Sequence, residues 1–341
     1  MTTNSTVVTA TEVLRRSADQ IDGPLRAAIA QLPEPLRIGA GFHFGWWDAG
    51  GNHITGATGK MVRPAFALSA ARAVSGQVSD TAVRVGVAVE LAHNFSLVHD
   101  DVLDGDRTRR GRPTVWAQFG VPHAILIGDA LLALASQVLT HHDDSIELCA
   151  ELNSTVIALC AGQHQDMLLE KQLHVSPADY LEMAGGKTAA LVASACALGA
   201  MASGASPAQT AALRQFGHHV GLAFQLVDDV LGLFGDPALT GKPAGADLLR
   251  YKKSMPVVAA MQSGTAAGDE LTELYRAQAI TVDLVPHAVD LVARAGGKEW
   301  TEMEAERCYE LALDSLDAVD GRIGTDEALR VLAKLMINRN R

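Results

Sequence analysis

The sequence predicts an all-α protein, and three observations support that prediction. Phe, Trp and Tyr make up only 5% of the 341 residues, whereas alanine and leucine, which favour helices, are abundant. Several apolar segments are long enough for many helical turns. They are apolar on more than one face, as is typical of helices packed among other helices, and no alternating strand pattern competes with them. We therefore expect one large helical bundle, formed by residues 1–341 as a single domain.

The predicted helices follow one another with short turns between them. Residues 1–30 are expected to form an N-terminal helical segment, and residues 41–58 (GFHFGWWDAGGNHITGAT) an irregular, glycine-rich loop. Glycine, proline and aspartate separate the later helices. In chain order, these helices are expected at 80–103, 123–140, 146–168, 178–203 and 207–234. No linker lies among them, so we expect no domain boundary.

Composition and charge exclude several classes of protein. A formal net charge of −11 at pH 7 disfavours a general nucleic-acid-binding protein. Charged residues interrupt every apolar run, so no transmembrane segment is predicted, and the polar start of the chain lacks the apolar centre of a signal peptide. The four cysteines form no CxxC pair and are typical of reduced structural thiols. We expect a soluble cytoplasmic protein.

Two aspartate clusters, DDVLD at 100–104 and DDVL at 228–231, follow long apolar runs. Asp100 and Asp104 are four positions apart, so their side chains share one face of a helix. Carboxylates this close repel one another unless a cation lies between them, and Mg²⁺ typically binds one or two carboxylates together with phosphate oxygens. The clusters therefore predict a phosphate or diphosphate substrate that Mg²⁺ bridges between two helices.

Two cationic segments accompany the first cluster. DRTRRGRP at 106–113 has four arginines within six positions, and GKMVRP at 59–64 places Lys60 and Arg63 on one face if a helix begins there. Arginine matches phosphate oxygens with a rigid fork of donors. The alternatives are a solvated basic loop and ordinary surface charges. Two cationic sets beside one carboxylate site would suit two phosphorylated substrates, one bound with metal and one without.

These segments together resemble the motifs of the trans-isoprenyl diphosphate synthases, which form the polyprenyl synthetase family. The resemblance runs from about residue 55 to the C-terminus and covers six motifs in order: GKMVRP (59–64), DDVLD with RRGRPT (100–114), GQHQDM (162–167), GGKTA (185–189), FQLVDDVLGLFGD (224–236) and TGKPAGADLLRYKKS (240–254). It implies an isoprenoid-synthase-like bundle around a central cavity, with the two aspartate motifs facing one another. It also implies a homodimer and three Mg²⁺ ions per active site.

The resemblance also implies a role for individual residues. The implied metal ligands are Asp100, Asp104 and Asp228, supplemented by Asp166. The implied contacts to an allylic diphosphate are Arg109, Lys187, Thr188, Gln225 and Lys242, assisted by Lys252, with Gln163 as a neighbouring polar contact. The implied metal-free pocket for isopentenyl diphosphate comprises Lys60, Arg63, His93 and Arg110. In the implied reaction, the metals and the cations stabilise the departing diphosphate while the isopentenyl double bond attacks the allyl cation.

Several assignments have simpler alternatives. Asp228 and Asp229 could mark a helix end, GGKT a helix break, and His93 a hydrogen-bonded core histidine. The chain also departs from the family pattern, because Gly232 replaces the last aspartate of the second motif. That substitution leaves Asp228 as the main ligand there and places Asp229 outside the metal's first shell. Thr58, in place of a glycine, is a minor change, and the basic C-terminal NRNR could close over the isopentenyl site.

Product length is expected to depend on the helix before the first aspartate motif. Phe95, five positions before Asp100, is bulky, whereas Ser96 is small, and the two span about 100° of helix surface. In the family this combination resembles synthases of the C20 product, geranylgeranyl diphosphate, with the farnesyl product as the next choice. Rival functions are a class I terpene cyclase, a regulatory subunit and a purely structural bundle.

Overall fold

The computed structural model describes residues 8–54, 59–140, 145–236, 245–319, 323 and 327–338. Within these ranges the chain is all-helical, as predicted, except for one short hairpin. The elements are α1 (Ala10–Ile29), α2 (Glu34–His43), α3 (Val62–Ser75), α4 (Asp80–Leu103), β1 (Thr108–Arg109), β2 (Arg112–Pro113), α5 (Val115–Phe119), α6 (Val121–Gln137), α7 (Ser145–Glu170), α8 (Pro177–Ala184), a π-helical turn (Gly185–Ala189), α9 (Ala190–Met201), α10 (Pro207–Phe234), α11 (Ala246–Leu249), α12 (Met255–Met261), α13 (Ala266–Arg276), a 3₁₀ turn (Val282–Leu284), α14 (Val285–Arg294), α15 (Gly297–Asp317) and α16 (Glu327–Ile337).

The predicted helices at 80–103, 123–140, 146–168, 178–203 and 207–234 are observed with ends within three residues of the predicted ones. Helices α4 and α10 have the predicted bounds. Helix α4 begins after Ser79, whose hydroxyl oxygen accepts a hydrogen bond from the Ala82 amide at 3.1 Å and so caps the helix. Helix α6 begins two residues earlier than predicted, because Pro122 is compatible with the first turn of a helix. The predicted segment 178–203 is divided by the π-helical turn.

The irregular loop expected at 41–58 begins later than predicted. Residues 41–43 belong to α2, and a Cβ at Gly41 would lie 2.0 Å from the Trp47 ring, so the glycine is required by this close packing rather than by a loop. Beyond the helix, the Asp48 carboxylate accepts hydrogen bonds from the Gly50 and Asn52 amides, both at 2.9 Å, and orders a tight turn. Residues 55–58, which include Thr58, lie outside the described ranges.

The chain divides into two compact units, each made of discontinuous segments. Unit 1 comprises 1–156, 194–214 and 316–332, and unit 2 comprises 157–193, 215–315 and 333–341. The boundaries at 156/157, 193/194 and 214/215 fall inside α7, α9 and α10 rather than in linkers. The single-domain organisation remains a prediction.

Each unit has its own apolar core. In unit 1, Phe66, Leu68 and Leu91 are almost completely buried, and Ile21 of α1 packs where Gly86 of α4 has no side chain. Unit 2 contains two clusters. One is formed around Tyr180, Met183, Leu226 and Met255, and the other around Leu271, Tyr275, Leu291 and Val292. Burial of such side chains contributes about 1.5–3 kcal/mol each.

All four cysteines lie in the described ranges and none forms a disulfide. Two helical stretches, Ser145–Glu170 and Pro177–Met201, are long and apolar enough to cross a membrane by length and composition alone. The second is 78% buried, as core helices are, so this resemblance is weak evidence for a membrane span.

Candidate active site

The C-terminal end of α4 carries the first aspartate motif. Asp104 follows the last helical residue, and its amide still donates to the Asp100 carbonyl at 2.8 Å, so both carboxylates lie on one face as predicted. Both side chains are partly exposed. No basic residue stands in the last turn of the helix, where the helix dipole is itself negative. A cation bound here would relieve the repulsion between these charges.

Asp101, the third carboxylate of the motif, has a different environment. It is 1% exposed, and its Oδ1 accepts hydrogen bonds from Arg109 Nη2 at 2.7 Å and Nε at 2.8 Å. Its Oδ2 is buried and has no hydrogen-bond partner in the described ranges. Burial raises the pKa of Asp101, and the Arg109 guanidinium opposes that shift. Arg109, a predicted diphosphate contact, is therefore held against the carboxylate end of α4.

The basic segment after α4 forms a hairpin that the sequence did not predict. Arg109 pairs with Arg112, and the two loop residues Arg110 and Gly111 have φ of 52° and 73°, as a type I′ turn requires. Arginine is unusual in this left-handed region, which costs a non-glycine residue about 1–2 kcal/mol. Such strain is typical of functional sites.

The residues predicted to bind isopentenyl diphosphate lie in unit 1. Arg63 Nη1 lies 3.0 Å from His93 Nε2, and a Cβ at Gly59 would lie 2.9 Å from the Arg110 guanidinium. The side chain of Lys60, next to Gly59, is exposed. Met61, between Lys60 and α3, has a strained φ of 47°. The structure thus brings together Arg63, His93 and Arg110, and places Lys60 beside them.

The histidines of this pocket are neutral. Burial, with the neighbouring arginines, holds the pKa of His93 well below its usual value, so its Nε2 accepts a hydrogen bond from Arg63. Burial also lowers the pKa of Arg63 to about 10, which leaves it a cation at neutral pH. The hydrogen-bond partner of His93 is therefore the side chain of Arg63, another residue of the predicted pocket.

Next to these residues lies a buried hydrogen-bond network that the sequence did not predict. Glu90 is 4% exposed, and its Oε1 accepts from Asn94 Nδ2 at 2.9 Å, while Nδ2 also donates to the Glu90 carbonyl at 2.7 Å. The Asn94 oxygen, 3.0 Å from His43 Nε2, must then accept a hydrogen bond from the Nε2–H of His43. Burial, with Arg109 and Arg110, lowers the pKa of His43 to about 3, so its Nδ1 carries no proton. Only the spacing of Glu90 one turn before His93 could have indicated this network.

The second aspartate motif lies in unit 2 and separates its two carboxylates. Asp228 is exposed. Asp229 Oδ2 accepts hydrogen bonds from the Tyr180 hydroxyl and from the Met255 amide at 2.9 Å, and its Oδ1 accepts from Gln225 Nε2 at 2.9 Å. Burial raises the pKa of Asp229 to about 7, against the effect of these donors. The arrangement suits Asp228 as a metal ligand and Asp229 as a structural carboxylate.

The GGKTA segment is a π-helical turn and not a helix break. Lys187 Nζ pairs with Asp166 Oδ2, and Thr188 Oγ1 donates to Gln225 Oε1 at 2.6 Å. The helices meet closely here, since a Cβ at Gly162 would lie 2.2 Å from the Lys187 amide nitrogen. The polar atoms of Gln163 are buried and have no hydrogen-bond partner among the described residues. π-helical turns of this kind are frequent at functional sites.

The remaining predicted residues are only partly placed. Lys242 lies outside the described ranges, as do Arg339 and Arg341. Lys252 follows α11, and its carbonyl accepts from the Tyr275 hydroxyl at 3.0 Å. Phe95 is 6% exposed, with its ring edge-on to His99 at 5.6 Å, and Ser96 donates to the His93 carbonyl at 2.8 Å.

The residues of the first motif fit a Mg²⁺ site of the expected kind. Hard carboxylate oxygens are the appropriate donors, and the unpartnered Asp101 oxygen lies beside them. In the described ranges, no group of three or more His, Cys, Asp or Glu side chains is arranged to hold a metal by itself.

Comparison with known proteins shows the family to which the chain belongs. The geranylgeranyl diphosphate synthase of Mycobacterium tuberculosis is 48% identical over 312 residues, which cover 90% of this chain and 89% of that protein. The crystal structure of a polyprenyl synthetase from Streptomyces coelicolor A3(2) matches with a TM-score of 0.90 and 42% identity, over 96% of this chain and 99% of that one. A geranylgeranyl pyrophosphate synthase from Corynebacterium glutamicum, crystallised with calcium and isoprenyl diphosphate, matches with a TM-score of 0.78 and 29% identity, over 96% of each chain. The family model described as polyprenyl synthetase matches residues 46–292. The chain belongs to the polyprenyl synthetase family.

Proposed function

We propose that this enzyme condenses isopentenyl diphosphate with an allylic diphosphate and that its main product is geranylgeranyl diphosphate. The observation that carries the proposal is the pairing, in unit 1, of the carboxylate end of α4 with a separate cationic pocket at Arg63, His93 and Arg110. One feature suits a metal-bound diphosphate and the other a diphosphate bound without metal. Relatives that synthesise geranylgeranyl diphosphate support the length of the product.

The carboxylates would hold the metal ions. Asp100 and Asp104 of the first motif and Asp228 of the second would bind three Mg²⁺ ions, with Asp166 as a further ligand. When bound, the metal acts as a Lewis acid on the diphosphate. Arg109 and Lys187 would contact the same diphosphate, together with Thr188, Gln225, Lys242 and Lys252. Each of these side chains would stabilise negative charge as it develops on the departing diphosphate.

The isopentenyl pocket would orient the nucleophile. Lys60, Arg63 and Arg110 would bind the diphosphate of isopentenyl diphosphate, and neutral His93 would hold Arg63 in place through its Nε2. The allylic C–O bond breaks, the isopentenyl double bond forms the new C–C bond, and a proton leaves to restore an alkene. We propose that the departing diphosphate accepts that proton, because the resemblance to the family implies no dedicated carboxylate base at that position.

The first experiment is incubation of the purified protein with Mg²⁺, isopentenyl diphosphate and, separately, dimethylallyl, geranyl and farnesyl diphosphates. The products would be dephosphorylated and sized by mass spectrometry. A C20 alcohol from all three primers is expected. A C15 product would retain the chemistry and favour a farnesyl diphosphate synthase. A cyclic hydrocarbon formed without isopentenyl consumption would indicate a cyclase, and absence of turnover would favour a regulatory subunit.

We also propose a cytoplasmic homodimer. Three apolar side chains of α6 are exposed, Val121 by 41%, Ile125 by 44% and Leu126 by 57%, and Ile146 at the start of α7 is 77% exposed. Exposed apolar groups on one helix are typical of an interface between subunits, and reduced thiols support a cytoplasmic location. Light scattering should give twice the chain mass for the wild type and a lower mass for Leu126→Glu. A monomeric wild type would refute the dimer.

A further inference from the structure

Three donors from three helices converge on Asp229. The Tyr180 hydroxyl comes from α8, the Gln225 amide from α10 itself, and the Met255 amide from the first residue of α12. Tyr180 is 3% exposed and Met255 is completely buried. The Met255 amide belongs to a helix end that no local side chain caps, so Asp229 serves as its cap from a distance. Both oxygens of the carboxylate are engaged.

These contacts extend to residues of the proposed substrate site. The side-chain amide of Gln225 donates a hydrogen bond to Asp229, and its oxygen accepts a hydrogen bond from the Thr188 hydroxyl at 2.6 Å. Thr188 lies beside Lys187 in the π-helical turn, eight positions after Tyr180 on the same helical stretch. A Cβ at Gly221 would lie 2.5 Å from the Ala189 Cα, so α10 and this turn pack backbone against backbone. A shift of Tyr180 would therefore move the turn relative to α10.

We propose that Tyr180 is a positioning residue for the binding of the allylic diphosphate. Its hydrogen bond to Asp229 holds that carboxylate in a structural role, and it keeps the Lys187–Thr188 turn aligned with Asp228 on α10. The inference rests on the proposed function. Adjacent residues on a helix are separated by about 100°, so Asp228 is exposed while Asp229 points to its three donors. Loss of the hydroxyl would leave Asp229 with two of its three donors and would remove the hydrogen bond that ties α8 to α10, which would loosen Asp229 and the Lys187–Thr188 turn. Both effects weaken the binding of an allylic diphosphate.

The test compares Tyr180→Phe with Tyr251→Phe, a matched control that removes a hydroxyl whose partners in the described ranges are the main-chain groups of Ile280. For Tyr180→Phe we expect the KM of the allylic substrate to rise about tenfold, while the KM of isopentenyl diphosphate stays unchanged. Tyr251→Phe should leave both values unchanged. Thermal unfolding of both variants measures any loss of stability separately from this split. An equal rise in both KM values, or no rise, would overturn the proposal.

A second measurement does not depend on turnover. Calorimetry with a non-ionising allylic thiolodiphosphate and Mg²⁺ should show about tenfold weaker binding to Tyr180→Phe. Asp229→Asn changes the acceptor of the same Tyr180–Asp229 hydrogen bond. The double variant Tyr180→Phe/Asp229→Asn should bind the analogue no more weakly than Asp229→Asn alone. Additive losses would contradict a role through Asp229. If the wild type binds the analogue and yields no prenyl product, the proposed function fails and this inference is still tested.

Discussion

Substitution of Gly162 by alanine tests how closely the site depends on backbone packing. A Cβ at this position would lie 2.2 Å from the Lys187 amide nitrogen and 2.6 Å from the Gly186 carbonyl carbon. Ordinary contacts begin near 3.4 Å, so α7 and the π-helical turn must separate by about 1.2 Å (3.4 − 2.2). Overpacking of this kind typically costs about 1–3 kcal/mol. Because main-chain atoms form the contact, no side-chain rotation relieves it.

The displaced group is Lys187, which pairs with Asp166 and is a proposed diphosphate contact. Misplacement of a catalytic group by about 1 Å reduces the rate about 10²-fold. We therefore expect Gly162→Ala to fold with a lowered unfolding temperature and to lose about two orders of magnitude in kcat for prenyl transfer. Calorimetric unfolding and a radiometric assay with labelled isopentenyl diphosphate would measure both quantities.

Gly185→Ala is the matched control. Its Cβ would meet only His218 Cε1 at 3.5 Å, an ordinary contact, and the backbone there is helical, with φ of −57°. Alanine in such a position is expected to stabilise the protein by about 0.4–1 kcal/mol and to leave kcat unchanged. Wild-type stability and kcat in Gly162→Ala would refute the argument, as would an equal loss of activity in Gly185→Ala.

Three further predictions concern product length, acid stability and the metal. Phe95→Ala should lengthen the product beyond C20, and an unchanged product distribution by mass spectrometry would contradict its role as the floor of the pocket. The pKa of His43 is about 3 in the folded protein and about 6.5 in the unfolded protein, so the unfolded state binds more protons between these two pH values. As the pH falls through this range, the free energy of unfolding therefore decreases by about 1.4 kcal/mol per pH unit. His43→Gln should flatten this dependence in urea unfolding, and an unaltered slope would exclude His43 as its source. Removal of divalent cations by EDTA should abolish turnover and Mg²⁺ should restore it, whereas persistent turnover would refute a metal requirement.

The helices could be predicted from sequence where apolar runs and punctuation agree. The apolar runs before Asp100 and Asp228 predict α4 and α10, because apolar periodicity and capping residues are local properties of those segments. The hairpin at Arg110 could not be predicted, since arginine disfavours the φ of 52° that the turn imposes. The π-helical turn could not be predicted from the sequence either. It coincides with the contact between Gly162 and Lys187, residues that are distant in sequence.

The candidate site shows the same limit more sharply. Asp228 and Asp229 are chemically identical neighbours, and no spacing rule distinguishes them. The fold makes one exposed and surrounds the other with donors that come from 49 and 26 positions away in the chain. Tyr180, like Glu90 and Asn94, is a buried polar residue within an apolar helix, where burial without a partner would cost several kcal/mol. That cost is itself a signal, because a tyrosine or carboxylate in an otherwise apolar run predicts a polar partner, on the same helix or on another, although the sequence does not identify which. The metal-ligand half of such a site is therefore easier to predict than the half that fixes its geometry.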